Sequence, residues 1–299
     1  MQGMKTRKWN RPRASVKDVK TGSGPARKLA RLCRCMERMG SAVVAFSGGL
    51  DSSLLASVAV EVLGDRALAV TASSPTYPLR EQTAARRLAK TIGIRHRMVE
   101  SDELKIPGFS DNPPDRCYHC KRELFRVLWE VARAEGIGHV LDGTDADDRS
   151  DYRPGRRAAG EANVESPLLA AGLTRADIRI LSQARGLPTA DKPSLACLAS
   201  RFPYGHSITA EKLTAVDRVE CAVRALGIPH VRVRHHGSIA RIEVLPDCFE
   251  QLTDAVNRKR IVAAARKAGF SFCAMDLEGY RTGSLNRELS EAVRRSKGR

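Results

Sequence analysis

Two groups of residues in this chain have types and spacings suited to chemistry. The first is "FSGGLDSS" (46–53). Gly48 and Gly49 let the backbone come close to an anion and aim N–H groups at it. A helix beginning there adds the positive end of its dipole. Ser47, Ser52 and Ser53 add hydroxyl donors, and Asp51 is an acid beside an anion site, placed to hold a Mg²⁺ that bridges phosphates. The spacing is neither G-x-x-x-x-G-K-[ST] nor G-x-G-x-x-G. The second group is cysteine. Cys117 and Cys120 form a C-x-x-C in "DRCYHCKRELF", and Cys197 stands alone in "SLACLASRFPYG". A helix N-terminus at Cys117 lowers thiol pKa and favours thiolate. Such a pair can chelate one metal or two irons of a cluster. His119 and the pair His235–His236 can complete a zinc site, although nothing in the spacing demands it. A 4Fe–4S cluster on three cysteines leaves one iron open, and Cys197 is the natural third ligand if the fold brings it near. The bland alternative is a redox pair plus a small buried Cys197.

The surrounding pattern must position these residues. "SAVVAF" (41–46) is a buried-type strand, and "LDSSLLASVAVEVLG" (50–64) has helical spacing and a glycine stop. Further strands fall at 67–74, 95–100 and 139–144, with helices at 81–94, 121–137 and 174–186. This alternation predicts an α/β fold, a parallel sheet flanked by helices. Residues 145–166 are polar and irregular. Beyond "LASRFPYG" come a helix at 209–227, two strands around His236–Gly237, a helix at 247–269 and a strand at 270–280. That is a smaller α+β module, so the division is placed at 205/206. The expected organisation is a basic disordered tail (1–34), a phosphate-loop domain (35–205), a C-terminal substrate or oligomerisation domain (206–287) and a basic tail (288–299).

The chain has 299 residues, 42% of them hydrophobic, which is globular composition. No apolar run is long enough to span a membrane, and no secretory signal begins the chain. The formal charge of +17 suggests nucleic acid at first sight. Residues 1–34 carry +10 of it and 294–299 carry +4, leaving +3 for the body. Nucleic acid is therefore not the expected partner. Eight cysteines without a signal imply a reducing cytoplasm, where paired cysteines read as metal or redox sites.

"SGGLDSS" resembles the PP-loop of ATP pyrophosphatase-type enzymes, which cleave ATP between the α and β phosphates and adenylate a carbonyl or carboxyl oxygen. Together with "RCYHCK", "LDGTDADD" (141–148), "KPSLACLASRFPYG" (192–205), "VRVRHHGSIARIEV" (231–244) and "DLEGYRTGSLN" (276–286), it resembles the LarE family of ATP-dependent sulfur transferases over roughly residues 30–286. The resemblance implies adenylation of pyridinium-3,5-biscarboxylate mononucleotide and replacement of the activated oxygen by sulfur, in biosynthesis of the nickel-pincer nucleotide cofactor. One subtype sacrifices the sulfur of a single cysteine; the other holds a 4Fe–4S cluster on that cysteine and a C-x-x-C. With all three cysteines, this chain fits the cluster subtype. The resemblance then makes Cys117, Cys120 and Cys197 the cluster ligands. It assigns Ser47, Gly48, Gly49, Asp51, Ser52 and Ser53 to ATP and Mg²⁺, and Arg201 to the activated carboxylate. Arg232 and Arg234, two apart on one strand face, suit a substrate phosphate, with Arg241 and Glu243 on the partner strand; a solvated face of cross-strand ion pairs is their bland alternative. Two departures are Ala190, where an aromatic is common, and Asp145, where Asn is expected. A cytoplasmic homo-oligomer with a small nucleotide substrate is the expected form, the sulfur donor being open. A PP-loop iron–sulfur tRNA thiolase is the main alternative; an amide-forming relative of NAD or GMP synthetases is the other, and has no use for three cysteines.

Overall fold

The computed structural model describes residues 24–150, 155–192, 196–281 and 284. Helix α1 (Gly24–Met39) precedes strand β1 (Ala42–Ala45), α2 (Leu50–Leu63), β2 (Ala67–Ser73), α3 (Leu79–Ile92) and β3 (Arg95–Glu100). Then follow α4 (Arg116–Ala134), β4 (Val140–Leu141), the short α5 (Gly155–Glu161) and α6 (Pro167–Ala170), and α7 (Arg175–Ala184). The C-terminal part contains α8 (Ala210–Arg224), β5 (Val231–His236), β6 (Ile239–Val244), α9 (Phe249–Thr253), α10 (Ala255–Lys267) and β7 (Phe272–Met275).

Strands β3-β2-β1-β4 form a parallel sheet in that order. β2 and β1 are its interior strands, and in β1 Ala42, Val43 and Val44 are buried because helices cover both faces. On one face Val44 and Ala69 pack with α1, α2, α3 and α7. On the other, Val43, Leu68 and Val70 pack with Phe125 and Leu128 of α4. The expected α/β architecture is thus observed. The second sheet, β5-β6-β7, pairs β5 with β6 antiparallel and β6 with β7 parallel. Its core draws in Leu198, Ala199 and Phe202, and also Phe109, so the change of core falls ahead of the expected division at 205/206. The helix expected at 247–269 is broken at Asp254, whose side chain accepts from the N–H groups of Val256 and Asn257 and so starts α10.

The expected tail 1–34 needs correction: residues 24–34 belong to α1. Leu29, Leu32, Cys33 and Met36 line one buried face at helical spacing, while Arg27, Arg31 and Arg34 point outward. Lys28 pairs with Asp177 of α7 at 2.6 Å and ties the helix down. Residues 1–23 and 285–299, which carry the rest of both expected tails, lie outside the described residues. Leu32 is fully buried; Leu32→Ala is expected to cost about 2–5 kcal/mol of stability, read as a lower urea midpoint at unchanged slope. No change in midpoint would mean that α1 is not part of the folded body.

Candidate active site

The loop 46–49 leaves the C-terminal end of β1 and enters α2 with Gly49 as its N-cap. Gly48 has φ +67°, and a Cβ there would lie 3.0 Å from the Ala85 Cα. Both conformation and space therefore require glycine. Opposite, a Cβ on Gly143 of "LDGT" would lie 3.2 Å from the Ser52 nitrogen, so that segment closes the loop from the other side. Ser53 Oγ donates to the Gly49 carbonyl at 2.5 Å, and the Ser47 and Ser52 hydroxyls share a hydrogen bond at 3.1 Å. The first N–H groups of α2 lack intrahelical acceptors and face the loop's hollow. Gly48→Ala strains the backbone and crowds Ala85. It is expected to weaken ATP binding at least about tenfold, which costs only about 1.4 kcal/mol, with the fold retained; titration of both proteins with ATP and Mg²⁺ checks this.

Beside the loop lies an acidic cluster. Arg175 reaches Asp51 at 3.4 Å and Asp145 at 3.5 Å. Asp51 Oδ1 is buried and has no hydrogen-bond partner among the described residues. Burial, opposed by Arg175 and helped by the charges of Asp145 and Asp148, pushes Asp51 up to about 6. Asp145 is fully buried; its Oδ1 accepts from the N–H groups of Asp147 (2.9 Å) and Asp148 (3.1 Å), while its Oδ2 meets Arg175. That second charged oxygen gives a physical role to aspartate where asparagine was expected. Lys192, not singled out from sequence, donates to the Gly48 carbonyl at 3.0 Å and pairs with Glu81 at 3.1 Å, which puts a cation on the rim of the loop.

The three cysteines lie within reach of one another's charge. Cys117 and Cys120 lie in the first turn of α4, and Cys197 immediately precedes the 3-10 turn Leu198–Arg201. The charge of Cys197 is felt at both other thiols. Cys120 and Cys197 pack against the C-terminal core. The expectation of lowered thiol pKa values is overturned. Crowding by the protein raises Cys117, and Cys197 adds to it. Burial raises Cys120, and Glu103 and Cys197 add to it. These effects outweigh the helix terminus. Among the described residues no group of three or more His, Cys, Asp or Glu side chains is arranged for a single metal ion. His235 stacks on Phe202 and meets Phe270 edge-on, with centroids at 5.1 and 5.3 Å, so it serves the core and not the thiols.

Arg201 is 2% exposed. It forms a bidentate pair with Glu220 of α8 (2.7 and 3.1 Å) and donates to the carbonyls of Ala196 (3.0 Å) and Cys197 (3.1 Å). Its observed contacts thus hold the cysteine turn. Glu220, which sequence reasoning missed, also accepts the Val233 N–H at 3.1 Å and is approached by Arg224 at 3.7 Å and Arg80 at 3.8 Å. Arg232 lies 5.1 Å from the Tyr280 ring centroid; burial and then Arg201 push it down to about 10. Arg234 grips Glu243 at 2.9 and 2.7 Å and donates to the Ser200 carbonyl at 2.7 Å. Arg241 reaches Glu243 at 3.1 Å and Asp276 at 3.0 Å. Cross-strand ion pairs are therefore real, but Arg232, Arg234 and Glu243 are buried, not solvated. Positive charge exceeds negative in this interior, as suits a site that receives an anion.

A parallel sheet with a glycine-serine loop at its switch from strand to helix, closed by "LDGT", defines the PP-loop class of ATP-using enzymes. A family model described as NAD synthase matches residues 34–108. Pyridinium-3,5-bisthiocarboxylic acid mononucleotide synthase of Lactiplantibacillus plantarum is 37% identical over 272 residues, covering 89% of this chain and 96% of its own. The Synechocystis sp. protein slr1717 is 43% identical over 264 residues, covering 88% and 98%. An NH(3)-dependent NAD(+) synthetase of Finegoldia magna is 30% identical over 153 residues, covering 49% and 61%. The chain belongs to the LarE family, and it is an ATP-dependent sulfurtransferase. No helix among the described residues is long and apolar enough to cross a membrane.

Proposed function

We propose that the protein adenylates a carboxylate of pyridinium-3,5-biscarboxylate mononucleotide and exchanges the activated oxygen for sulfur, with Cys117, Cys120 and Cys197 forming the sulfur-delivering site. Three thiols within reach of one another's charge carry this reading, with the cysteine turn tied through the Leu198 N–H to the Thr76 carbonyl at 2.9 Å, just after β2 at the sheet end from which the phosphate loop leaves β1. The named Lactiplantibacillus relative supports the substrate. The loop's N–H groups and the Ser47, Ser52 and Ser53 hydroxyls bind the β and γ phosphates, which leave as pyrophosphate. Asp51, with its buried unpartnered oxygen, suits Mg²⁺. The substrate carboxylate attacks the α phosphorus and forms the acyl adenylate; a sulfur nucleophile then adds to the carbonyl carbon and AMP departs. Arg232 and Arg234, with Arg241 and Glu243 as their partners, receive the substrate phosphate.

The donor set also suits a 4Fe–4S cluster. Ligand sulfurs on separate irons stand farther apart than those on one ion, so the three thiols need not crowd a single point. The buried Glu103 carboxylate, whose charge acts on Cys120, is a neighbour that favours a cation over a second anion there, while the raised thiols mean that loading such a group must release their protons. Bound there, such a cluster would supply a sulfur on the iron that lacks a protein ligand. Cys117 and Cys120 anchor one side through α4, and Arg201 fixes the Cys197 side through the carbonyl bonds described above.

The test is anaerobic incubation with ATP, Mg²⁺ and the biscarboxylate. Equimolar AMP, pyrophosphate and thiocarboxylate product are expected; AMP formation driven instead by tRNA would contradict the reading. A pH dependence follows from Asp51. Its carboxyl is raised from 3.8 to about 6, so the protonated form is favoured in the folded protein below that value. Mg²⁺ needs the ionised form. Apparent Mg²⁺ affinity in ATP–pyrophosphate exchange should rise as pH increases through about 6 and then level off. The rise should move toward the ordinary carboxylate range when neighbouring Asp148 is replaced by Asn, because a charge that raises Asp51 is removed.

A further inference from the structure

The two cysteine-bearing segments are tied to each other at one buried side chain. Asn112 is fully buried and precedes Arg116, the first residue of α4, by four positions. Its amide nitrogen donates to the carbonyls of Phe202 (3.2 Å) and Pro203 (2.6 Å). Its amide oxygen accepts from the Arg116 guanidinium, and its main-chain carbonyl accepts the Gly205 N–H at 3.0 Å. Asn112 has φ +55°, in the left-handed region that asparagine tolerates better than most residues. With that backbone, the side chain and the carbonyl of a single residue both reach 202–205. Alongside, the Ser110 carbonyl accepts the Ile208 N–H at 2.8 Å. Arg116 is buried too, and its guanidinium lies 5.4 Å from the centroid of the Tyr204 ring. Residues 110–116 are thus bound to residues 202–208 by main-chain, side-chain and cation–π contacts.

We propose that Asn112 is a positioning residue that sets the Cys117–Cys120 pair against Cys197. The proposal rests on the reading above in which the three thiols act together. On one side Asn112 holds the start of α4. Pro113 and Pro114 fix two of the φ angles on the way to the helix. The Arg116 N–H donates to the Pro113 carbonyl at 3.0 Å, and the Arg116 side chain returns to the Asn112 amide oxygen. The first turn of α4, which carries Cys117 and Cys120, therefore starts from a fixed point. On the other side Asn112 holds the residue that ends the cysteine turn. Phe202 closes the 3-10 turn Leu198–Arg201, which begins directly after Cys197, and Leu198, Ala199 and Phe202 are anchored in one core. The residue type is dictated by this double task. A primary amide offers two N–H donors and an acceptor oxygen, and here the donors face one segment and the acceptor the other. A carboxylate of the same shape keeps the bond to Arg116 but has no proton for the two carbonyls. Phe202 and Pro203 are buried, so their carbonyls would then be left without this donor and beside a negative charge.

The test uses the full, reduced chain before any metal is loaded, with dibromobimane as the probe. This reagent fluoresces on bridging two thiols, and mass spectrometry of the peptides assigns each bridge. In the unmodified protein a bridge from Cys197 to Cys117 or Cys120 is expected beside the Cys117–Cys120 bridge within α4. Asn112→Asp should lower the Cys197 bridge at least about tenfold, because a misplacement of about 1 Å can cost about a hundredfold where two groups must meet. The Cys117–Cys120 bridge lies within one helical turn, serves as the internal control and should not change. In anaerobically loaded protein, thiocarboxylate formation should also fall at least about tenfold. Biscarboxylate-dependent ATP–pyrophosphate exchange should stay within about threefold, since it does not use the thiols. Asn112→Gly removes the amide while keeping the left-handed backbone free of strain, so it should give the same pattern, and it decides the matter if the aspartate variant does not fold. An unchanged Cys197 bridge in the variants that fold would overturn the proposal. So would exchange and thiocarboxylate formation falling together, or loss of the fold in both variants, since each marks a merely structural residue. Absence of any Cys197 bridge in the unmodified protein, with the Cys117–Cys120 bridge formed, would instead overturn the three-thiol reading, and the proposal with it.

Discussion

Cys197→Ala is expected to abolish sulfur transfer and, in anaerobically prepared protein, to abolish the brown chromophore as well, with Cys117→Ala and Cys120→Ala doing the same. The three thiols lie within reach of one another's charge, so removing any one leaves an incomplete ligand set. ATP–pyrophosphate exchange dependent on the biscarboxylate should survive within about threefold, because adenylation uses the phosphate loop and not the thiols. The separation of the two half-reactions is the informative part. Loss of activity in Cys197→Ala alone, with a normal chromophore, would assign the chemistry to one thiol and deny the shared site.

Glu220→Ala is expected to have the largest effect of any change outside the phosphate loop and cysteines. This carboxylate is fully buried, holds Arg201 through two bonds, and is approached by Arg80 and Arg224. Burial by itself would raise it, but Arg201 and then Arg232 hold it below the usual glutamate range. Removing it leaves buried guanidinium charge uncompensated, at a cost of about 3–5 kcal/mol. It also frees Arg201 from the side that aims it at the Cys197 carbonyl, so sulfur transfer should fall further than pyrophosphate exchange. The pH sign follows from the depressed carboxyl. Its stabilising contribution is present above the unfolded value of 4.5 and is lost as pH falls through the lower folded value. Urea titrations of both proteins should accordingly differ by a constant amount above about pH 5 and converge as pH falls below the unfolded value of 4.5. A stability difference that stays constant down to strong acid would contradict the ion-pair account.

The legible parts of this molecule are the local ones. Gly48, Asp51 and the serines sit within eight residues, so their spacing already states their chemistry, and the alternation of apolar runs and helical segments states the parallel sheet. What was hidden depends on distance in sequence or on burial. Helix α1 reads as a tail because its arginines dominate the charge count, yet they lie on the face opposite Leu29 and Met36. Glu220 is one acid in a helix of mixed charge, and only the fold brings it to Arg201. Glu103 and Lys192 carry no motif at all; Glu103 follows β3 and Lys192 follows α7, and only the fold brings the one to Cys120 and the other to the Gly48 carbonyl. The direction of the thiol shifts was missed for a related reason. A helix start is visible in sequence, whereas the burial and neighbouring Glu103 that outweigh it are not.

The central claim is that the three cysteines act together to deliver sulfur and that none is consumed. Intact mass of the protein, recorded anaerobically before and after several turnovers with ATP, Mg²⁺, the biscarboxylate and a sulfide source, tests it most directly. An unchanged polypeptide mass with more than one thiocarboxylate formed per chain is the predicted result. A single turnover that leaves the chain lighter by one sulfur at Cys197 would contradict it.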